Sequence, residues 1–163
     1  MTAPAQDQEL AESVRRAARR SVTGVTIVAV RHADDTHAMT ANSFVTLSLR
    51  PALVGICVTP EGRMRPHMRP GRRFGISVLN EAEADYARHF ADRRRPGTMP
   101  PLDQLTPGGP PLVPACAAYF VCDVAYTHAV GDHDLLVGSV VDCGVRSTGT
   151  PLTFLDGEFG GSG

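Results

Sequence analysis

The stretch Met39-Thr40-Ala41-Asn42-Ser43-Phe44-Val45-Thr46-Leu47-Ser48-Leu49-Arg50-Pro51 combines two patterns. Val45, Leu47 and Leu49 recur at a period of two, the spacing of a strand with one buried face. Just before them, Thr40-Ala41-Asn42-Ser43 supplies small and hydrogen-bonding groups in sequence. Such a segment either lets a ligand approach the backbone closely or is a polar strand edge whose Asn and Ser satisfy backbone groups. Upstream, Val25–Arg31 reads as a strand, and a polar turn at Ala33-Asp34-Asp35-Thr36 leads into His37–Leu49, expected as one run. Downstream, Leu53–Thr59 is nearly continuous in apolar residues, which predicts a strand covered on both faces.

Farther out, Pro60 and Gly62 break that strand, and a basic segment follows with Arg63, Arg65, Arg69, Arg72 and Arg73. Phe74–Leu79 reads as a strand, and Glu81–Arg93 as a helix with Ala84, Ala87 and Phe90 facing inward. Residues 96–114 hold seven prolines and three glycines, which excludes regular structure and marks a functional or mobile loop. Two long strands are expected at Cys116–Tyr126 and Leu135–Arg146, around a turn containing Gly131-Asp132-His133. A short strand at Leu152–Leu155 precedes a Gly-rich tail. At the other end, residues 7–20 form an amphipathic helix with Leu10, Val14, Ala17 and Ala18 on one face, acids early and arginines late. Many strands and two helices predict a mainly β protein, a barrel with peripheral helices. The absence of βαβ alternation and of GxGxxG excludes a Rossmann domain.

A chain of 163 residues suits one domain, 1–163, with about 1–8 and 157–163 as flexible tails. Sixteen basic and 17 acidic residues leave a formal charge of −1, which gives no electrostatic reason to bind nucleic acid or an anionic membrane. The apolar runs are strand-sized, so no membrane span is expected. Asp7, Glu9 and Glu12 precede any apolar stretch, so no secretory signal is expected and a cytoplasmic location is the default expectation. Cys57, Cys116, Cys122 and Cys143 form no CxxC pair and are expected as buried, reduced thiols. The six histidines show no HExxH or paired ligand spacing, so no metal site is expected.

Three segments together resemble the flavin reductase family, the small reductase components of two-component flavin monooxygenases. These are Thr23-Gly24-Val25-Thr26-Ile27-Val28, then Met39–Phe44 with Leu47-Ser48-Leu49 and Pro51, then Gly131-Asp132-His133 with Leu136-Val137-Gly138. Arg73-Phe74-Gly75 and His89-Phe90-Ala91 fall in the same order and spacing, so the resemblance covers about residues 20–160. It implies an FMN-binding split β-barrel that forms a homodimer and completes its flavin pocket with the neighbouring subunit. It also implies FMN or FAD as cofactor, NADH or NADPH as co-substrate, and a partner monooxygenase that receives diffusible reduced flavin. By the same resemblance Thr40, Ala41, Asn42, Ser43, Cys57, Val58, Arg63 and Phe90 are candidate flavin-binding residues. His133 is the candidate catalytic residue, placed near the nicotinamide. A flavin ring needs a flat slot with backbone donors and acceptors at its edge, and Thr40–Ser43 supplies suitably small groups.

Five places depart from the family pattern, among them the loop after Phe90, which carries prolines where the family has an aromatic-rich segment. Gly62 and Met64 stand where Ser or Thr usually reach the flavin phosphate, leaving that contact to backbone amides and Arg63. Ser21-Val22 replaces Phe-Pro, and Leu155-Asp156-Gly157 replaces a His-Arg-Gly pattern. The expected activity is an NAD(P)H:flavin oxidoreductase. Two alternatives stay open: a cyclase- or isomerase-type biosynthetic enzyme with a repurposed pocket, and a flavin-binding module without turnover. Arg63 could meet flavin phosphates or those of a dinucleotide, while Arg93-Arg94-Arg95 reads as charged surface.

Overall fold

The computed structural model describes residues 5–95 and 97–160. Ten strands dominate: β1 (Thr23–Gly24), β2 (Thr26–His32), β3 (Asp35–Ala41), β4 (Val45–Leu49), β5 (Ala52–Val58), β6 (Arg73–Val78), β7 (Ala118–Val130), β8 (His133–Val145), β9 (Thr153–Leu155) and β10 (Glu158–Gly160). Two α-helices, α1 (Ala5–Ala18) and α2 (Ala84–Ala91), accompany them. Seven strands form one antiparallel sheet in the order β3-β2-β6-β7-β8-β5-β4, and β1, β9 and β10 form a second. The large sheet curls without closing, so the architecture is the expected split barrel.

Strand alternation explains the core. On β2, Val28 and Val30 join Val54, Ile56, Phe74, Ile76, Cys122 and Leu136 inside the barrel. The intervening Ile27 and Ala29 face outward, where Leu79, Ala87, Phe90, Val113 and Leu152 cover them. A strand buried on both faces needs apolar residues at successive positions, which Ile27–Val30 provides. On β5, Val54, Gly55, Ile56 and Val58 are all buried, as its near-continuous apolar character predicts.

Several boundaries differ from the sequence expectations. The run His37–Leu49 is two strands, because β3 and β4 occupy opposite edges of the large sheet and Asn42-Ser43-Phe44 carries the chain between them. His133 opens β8 instead of sitting in the turn, which is the two-residue Gly131-Asp132 between paired Val130 and His133. The expected tails 1–8 and 157–163 lie partly outside the described residues. Within them, Ala5–Gln8 is helical and Glu158–Gly160 pairs with β9. The hairpin turn Asp156-Gly157 has φ of 54° and 88°, the doubly positive form that Asp-Gly favours.

The face predicted for α1 does not pack on its own chain: Leu10 and Val14 are 64% and 59% exposed. Its C-terminal end is tied down instead, by Arg20 pairing with Asp156 and by Asp156 N donating to Arg19 O at 3.0 Å. All four cysteines are free, with Cys116 and Cys122 buried; against expectation Cys57 is half-buried, and Cys143 is exposed on the far half of β8, where neighbouring Val141 and Asp142 are exposed as well. Burial pushes the Cys122 thiol up to about 12, so it behaves as a core apolar group. The proline-rich segment has no long regular element, yet its far end is firmly held. Leu112 and Val113 are buried, Asp103 bridges Leu112, and Val113 N donates to Ser77 Oγ at 2.9 Å.

Candidate functional site

At the β3 edge of the large sheet a cleft of about 680 Å³ opens between four segments. These are His37–Thr40 of β3, Val58–Met64 at and beyond the end of β5, Phe90–Ala91 at the end of α2, and the following Asp92–Arg95. Each segment is placed by a specific bond. Thr40 Oγ1 donates to Ala87 O at 2.7 Å, which docks α2 on β3. Asn80 N donates to Glu83 Oε2 at 2.6 Å and so sets the turn that starts α2. Gly62 N donates to Thr59 O at 2.9 Å, closing the turn after β5. Arg65 pairs with the largely buried Asp134 of β8, anchoring the segment beyond that turn.

The cleft has an apolar floor and a cationic rim. Val58, Met64 and Phe90 are buried beneath it, and Met39 packs against the barrel core. Arg63, Arg93 and Arg95 line it together with Glu61, while Asp92 is engaged by Arg94 at 3.1 Å. The Arg94 hydrogen bonds hold the Asp92 carboxyl below the usual carboxylate range. At the mouth, His37 stacks on His67 with centroids 3.7 Å apart, and His32 lies 5.1 Å from His67. Burial first, then His37, His32, Arg72 and Arg69, hold the His67 imidazole below its ordinary pKa, which favours the neutral ring.

The structure sorts the residues expected from sequence. Thr40, Val58, Arg63 and Phe90 line the cleft. Ala41, Asn42, Ser43 and Cys57 are not among its lining residues: Ala41 O accepts from Thr26 Oγ1 at 2.7 Å, and Ser43 Oγ accepts from Cys57 N at 3.0 Å. Asn42 is exposed. The Ser43 hydroxyl therefore fastens the β3–β4 crossing to β5. His133 lies outside the lining as well, but it adjoins Asp134, which is register-paired with Val58. Its Nδ1 is 2.8 Å from Asp132 Oδ1, and this hydrogen bond holds the Asp132 carboxyl low. An ionised carboxylate only accepts, so Nδ1 carries the proton and Nε2 of the neutral ring is an acceptor.

Sequence reading missed His37 and Arg95. Arg95 stood in a run of three arginines, and nothing in such a run tells which member turns inward. Gly62, a departure from the family pattern, sits in a tight turn. A Cβ there would stand 2.6 Å from Thr59 Oγ1 and 3.0 Å from Thr59 O, so a larger residue requires the Thr59 side chain to turn away and the backbone to give by a few tenths of an ångström.

Comparison with known proteins agrees with this geometry. The flavin reductase like domain matches residues 18–163. An NADH-dependent FAD reductase of Streptomyces globisporus is 33% identical over 142 residues, covering 84% of this chain and 78% of that protein. The reductase component of 4-hydroxyphenylacetate 3-monooxygenase from Thermus thermophilus is 31% identical over 143 residues, covering 88% and 91%. Among solved structures, the flavin reductase component of a bacterial two-component tryptophan halogenase superposes with a TM-score of 0.84 at 32% identity, covering 93% of this chain and 97% of that one.

Proposed function

The chain belongs to the flavin reductase family, and from that premise we propose that it oxidises NADH to reduce FMN or FAD for a separate monooxygenase. The observation that carries this reading is the cleft itself, with its apolar floor and arginine rim, formed by family-matched segments. The residues present fit a flavin. Val58, Met39 and Phe90 offer an apolar bed for a planar ring system, and Arg63 and Arg95 offer guanidinium donors for its phosphate. When bound, the flavin supplies a two-electron acceptor for the hydride of the nicotinamide.

What the chain adds is placement. Hydride transfer needs no protein acid or base, only close and aligned donor and acceptor. His133, with Nε2 free to accept, suits the carboxamide N–H of a nicotinamide and acts by orienting it. His133→Ala should then lower turnover with NADH about 10-fold or more, while the flavin dissociation constant measured by fluorescence quenching stays unchanged. Unchanged turnover would remove His133 from the mechanism.

The chain also acts as a homodimer in this reading. Leu49 on the edge strand β4 is 85% exposed and Val145 on β8 is 80% exposed, with Val45, Leu47, Tyr126 and Val130 also uncovered. Apolar area of this extent on β4, β7 and β8 favours burial against a second copy. Sedimentation should give twice the mass of one chain, and Leu49→Glu should shift it toward one. A wild-type monomer at micromolar concentration would contradict the dimer.

The activity is tested by following NADH loss at 340 nm. Oxidation that requires added FMN or FAD is the expected result. Absence of oxidation with either flavin would refute the reading.

A further inference from the structure

One ion pair stands at the inner face of the barrel wall. On β8 the side chains of Asp134 and Leu136 fall on one face by strand alternation, and Leu136 belongs to the barrel core. Asp134 is itself only 8% exposed. Arg65 Nε donates to Asp134 Oδ2, and among the described residues no other cation pairs with that carboxylate. A pair taken this far out of water adds little to stability, because desolvation offsets the attraction, and apolar residues of similar volume hold a fold as well or better. A charged pair kept at such a place points to a role in placement.

Both partners sit at junctions. Residues 62–68 lead from the cleft into the core. Gly62 and Met64 line the cleft, Met64 and Met68 are buried, and Arg65 lies between them, its N donating to Gly62 O at 3.1 Å. On the other side, Asp134 is the last residue at which β8 pairs with β5, in a register that runs from Ser139 opposite Leu53 to Asp134 opposite Val58. Beyond it, His133 pairs with Val130 of β7 and with no other strand among the described residues. The tip at 130–133 therefore leaves the sheet as two strands. Such a hairpin is marginal by itself, so its direction is set at its root.

We propose that Arg65 and Asp134 are positioning residues, a clamp that fixes the root of the His133 hairpin against the segment leading out of the cleft. The clamp rests on the flavin reductase reading, in which His133 orients the nicotinamide toward a flavin held in that cleft. It touches neither ligand and acts through His133. Flavin binding does not depend on it, since the cleft side keeps the bond of Gly62 N to Thr59 O and the buried Met64 and Met68.

The variant that tests this carries Arg65→Met together with Asp134→Leu. Its urea midpoint should equal or exceed that of the wild type, and its flavin dissociation constant, read by fluorescence quenching, should be unchanged. Turnover at saturating NADH should nonetheless fall about 10-fold or more. A pair that serves stability alone leaves turnover intact once the variant folds, and that result overturns the clamp. Flavin affinity falling in parallel with turnover overturns it as well. His133→Ala added to the same variant gives a second reading. Because the clamp works through His133, the combined variant should turn over no more slowly than His133→Ala alone, and losses that multiply contradict the proposal. Arg65→Lys keeps the charge without the guanidinium geometry and carries the test if the apolar pair does not fold. Lowered turnover with unchanged flavin affinity then supports the clamp, and unchanged turnover removes it. A wild type that oxidises no NADH with either flavin defeats the reductase reading itself, and the clamp with it.

Discussion

Phe74→Ala lowers the free energy of unfolding by about 3–5 kcal/mol. Phe74 is fully buried on β6 at the centre of the barrel core. Its ring lies so close over Gly138 of β8 that a Cβ there would approach Cζ to 2.8 Å. Removing the ring leaves a cavity that rigid sheet backbones on both sides cannot close, so the transfer and cavity costs add. Typical domains hold only about 5–15 kcal/mol in all, so this variant stands near the unfolding threshold. Urea unfolding at fixed protein concentration measures the effect, and a loss below about 1 kcal/mol would mean that the core is looser than described. The opposite change, Gly138→Ala, destabilises as well, by overpacking against the same ring.

Asn80→Ala costs about 2–4 kcal/mol, through polar groups instead of volume. Asn80 is buried where β6 gives way to the α2 segment. Its Nδ2 donates to Ala115 O at 2.9 Å and to Ser147 Oγ at 2.8 Å, so one side chain joins the segments before β7 and after β8. Without it the Ala115 carbonyl and the Ser147 hydroxyl lose the side chain that ties them together, and the bridge from Asn80 to Pro151 is weakened. The bond that sets the start of α2 is donated by the Asn80 main-chain N–H to Glu83 and survives in the alanine variant, and α2 carries Phe90 to the cleft. Flavin affinity should therefore stay near the wild-type value while the urea midpoint falls. A flavin affinity that falls with the midpoint would show that the Asn80 side chain also positions α2.

The strands were legible in the sequence because alternation and short apolar runs mark extended chain, although Val45, Leu47 and Leu49, expected on a buried face, are exposed on this chain. The split of His37–Leu49 was not. Period two counts faces, and it does not register that β3 and β4 belong to opposite edges of the sheet. Ser43 of that crossing lies opposite Cys57, where the β4–β5 register continues, and its hydroxyl bonds the Cys57 backbone. Asp156-Gly157 shows the converse error. Weighed as a departure from the family pattern, it is a hairpin turn whose type the dipeptide itself announces.

Part of the cleft was legible too, through Thr40, Val58, Arg63 and Phe90. The family resemblance supplied those positions, and the spacing alone would not have. Arg95 stayed hidden because its partial burial arises from packing against Ala38 and Phe90, neither of which is near it in the way a motif records. Gly62 and Met64 suggested a repurposed pocket. In the structure Gly62 lies in a tight turn on Thr59 and Met64 packs into the core, and the arginine rim of the cleft is intact.

The central claim is that this chain itself passes electrons from NADH to a flavin it binds. Mixing the flavin-loaded protein anaerobically with NADH, while recording the flavin absorbance near 450 nm, tests it most directly. The account predicts complete bleaching with one NADH consumed per flavin. A bound flavin that stays oxidised in excess NADH and NADPH would contradict it and leave only a flavin-binding module.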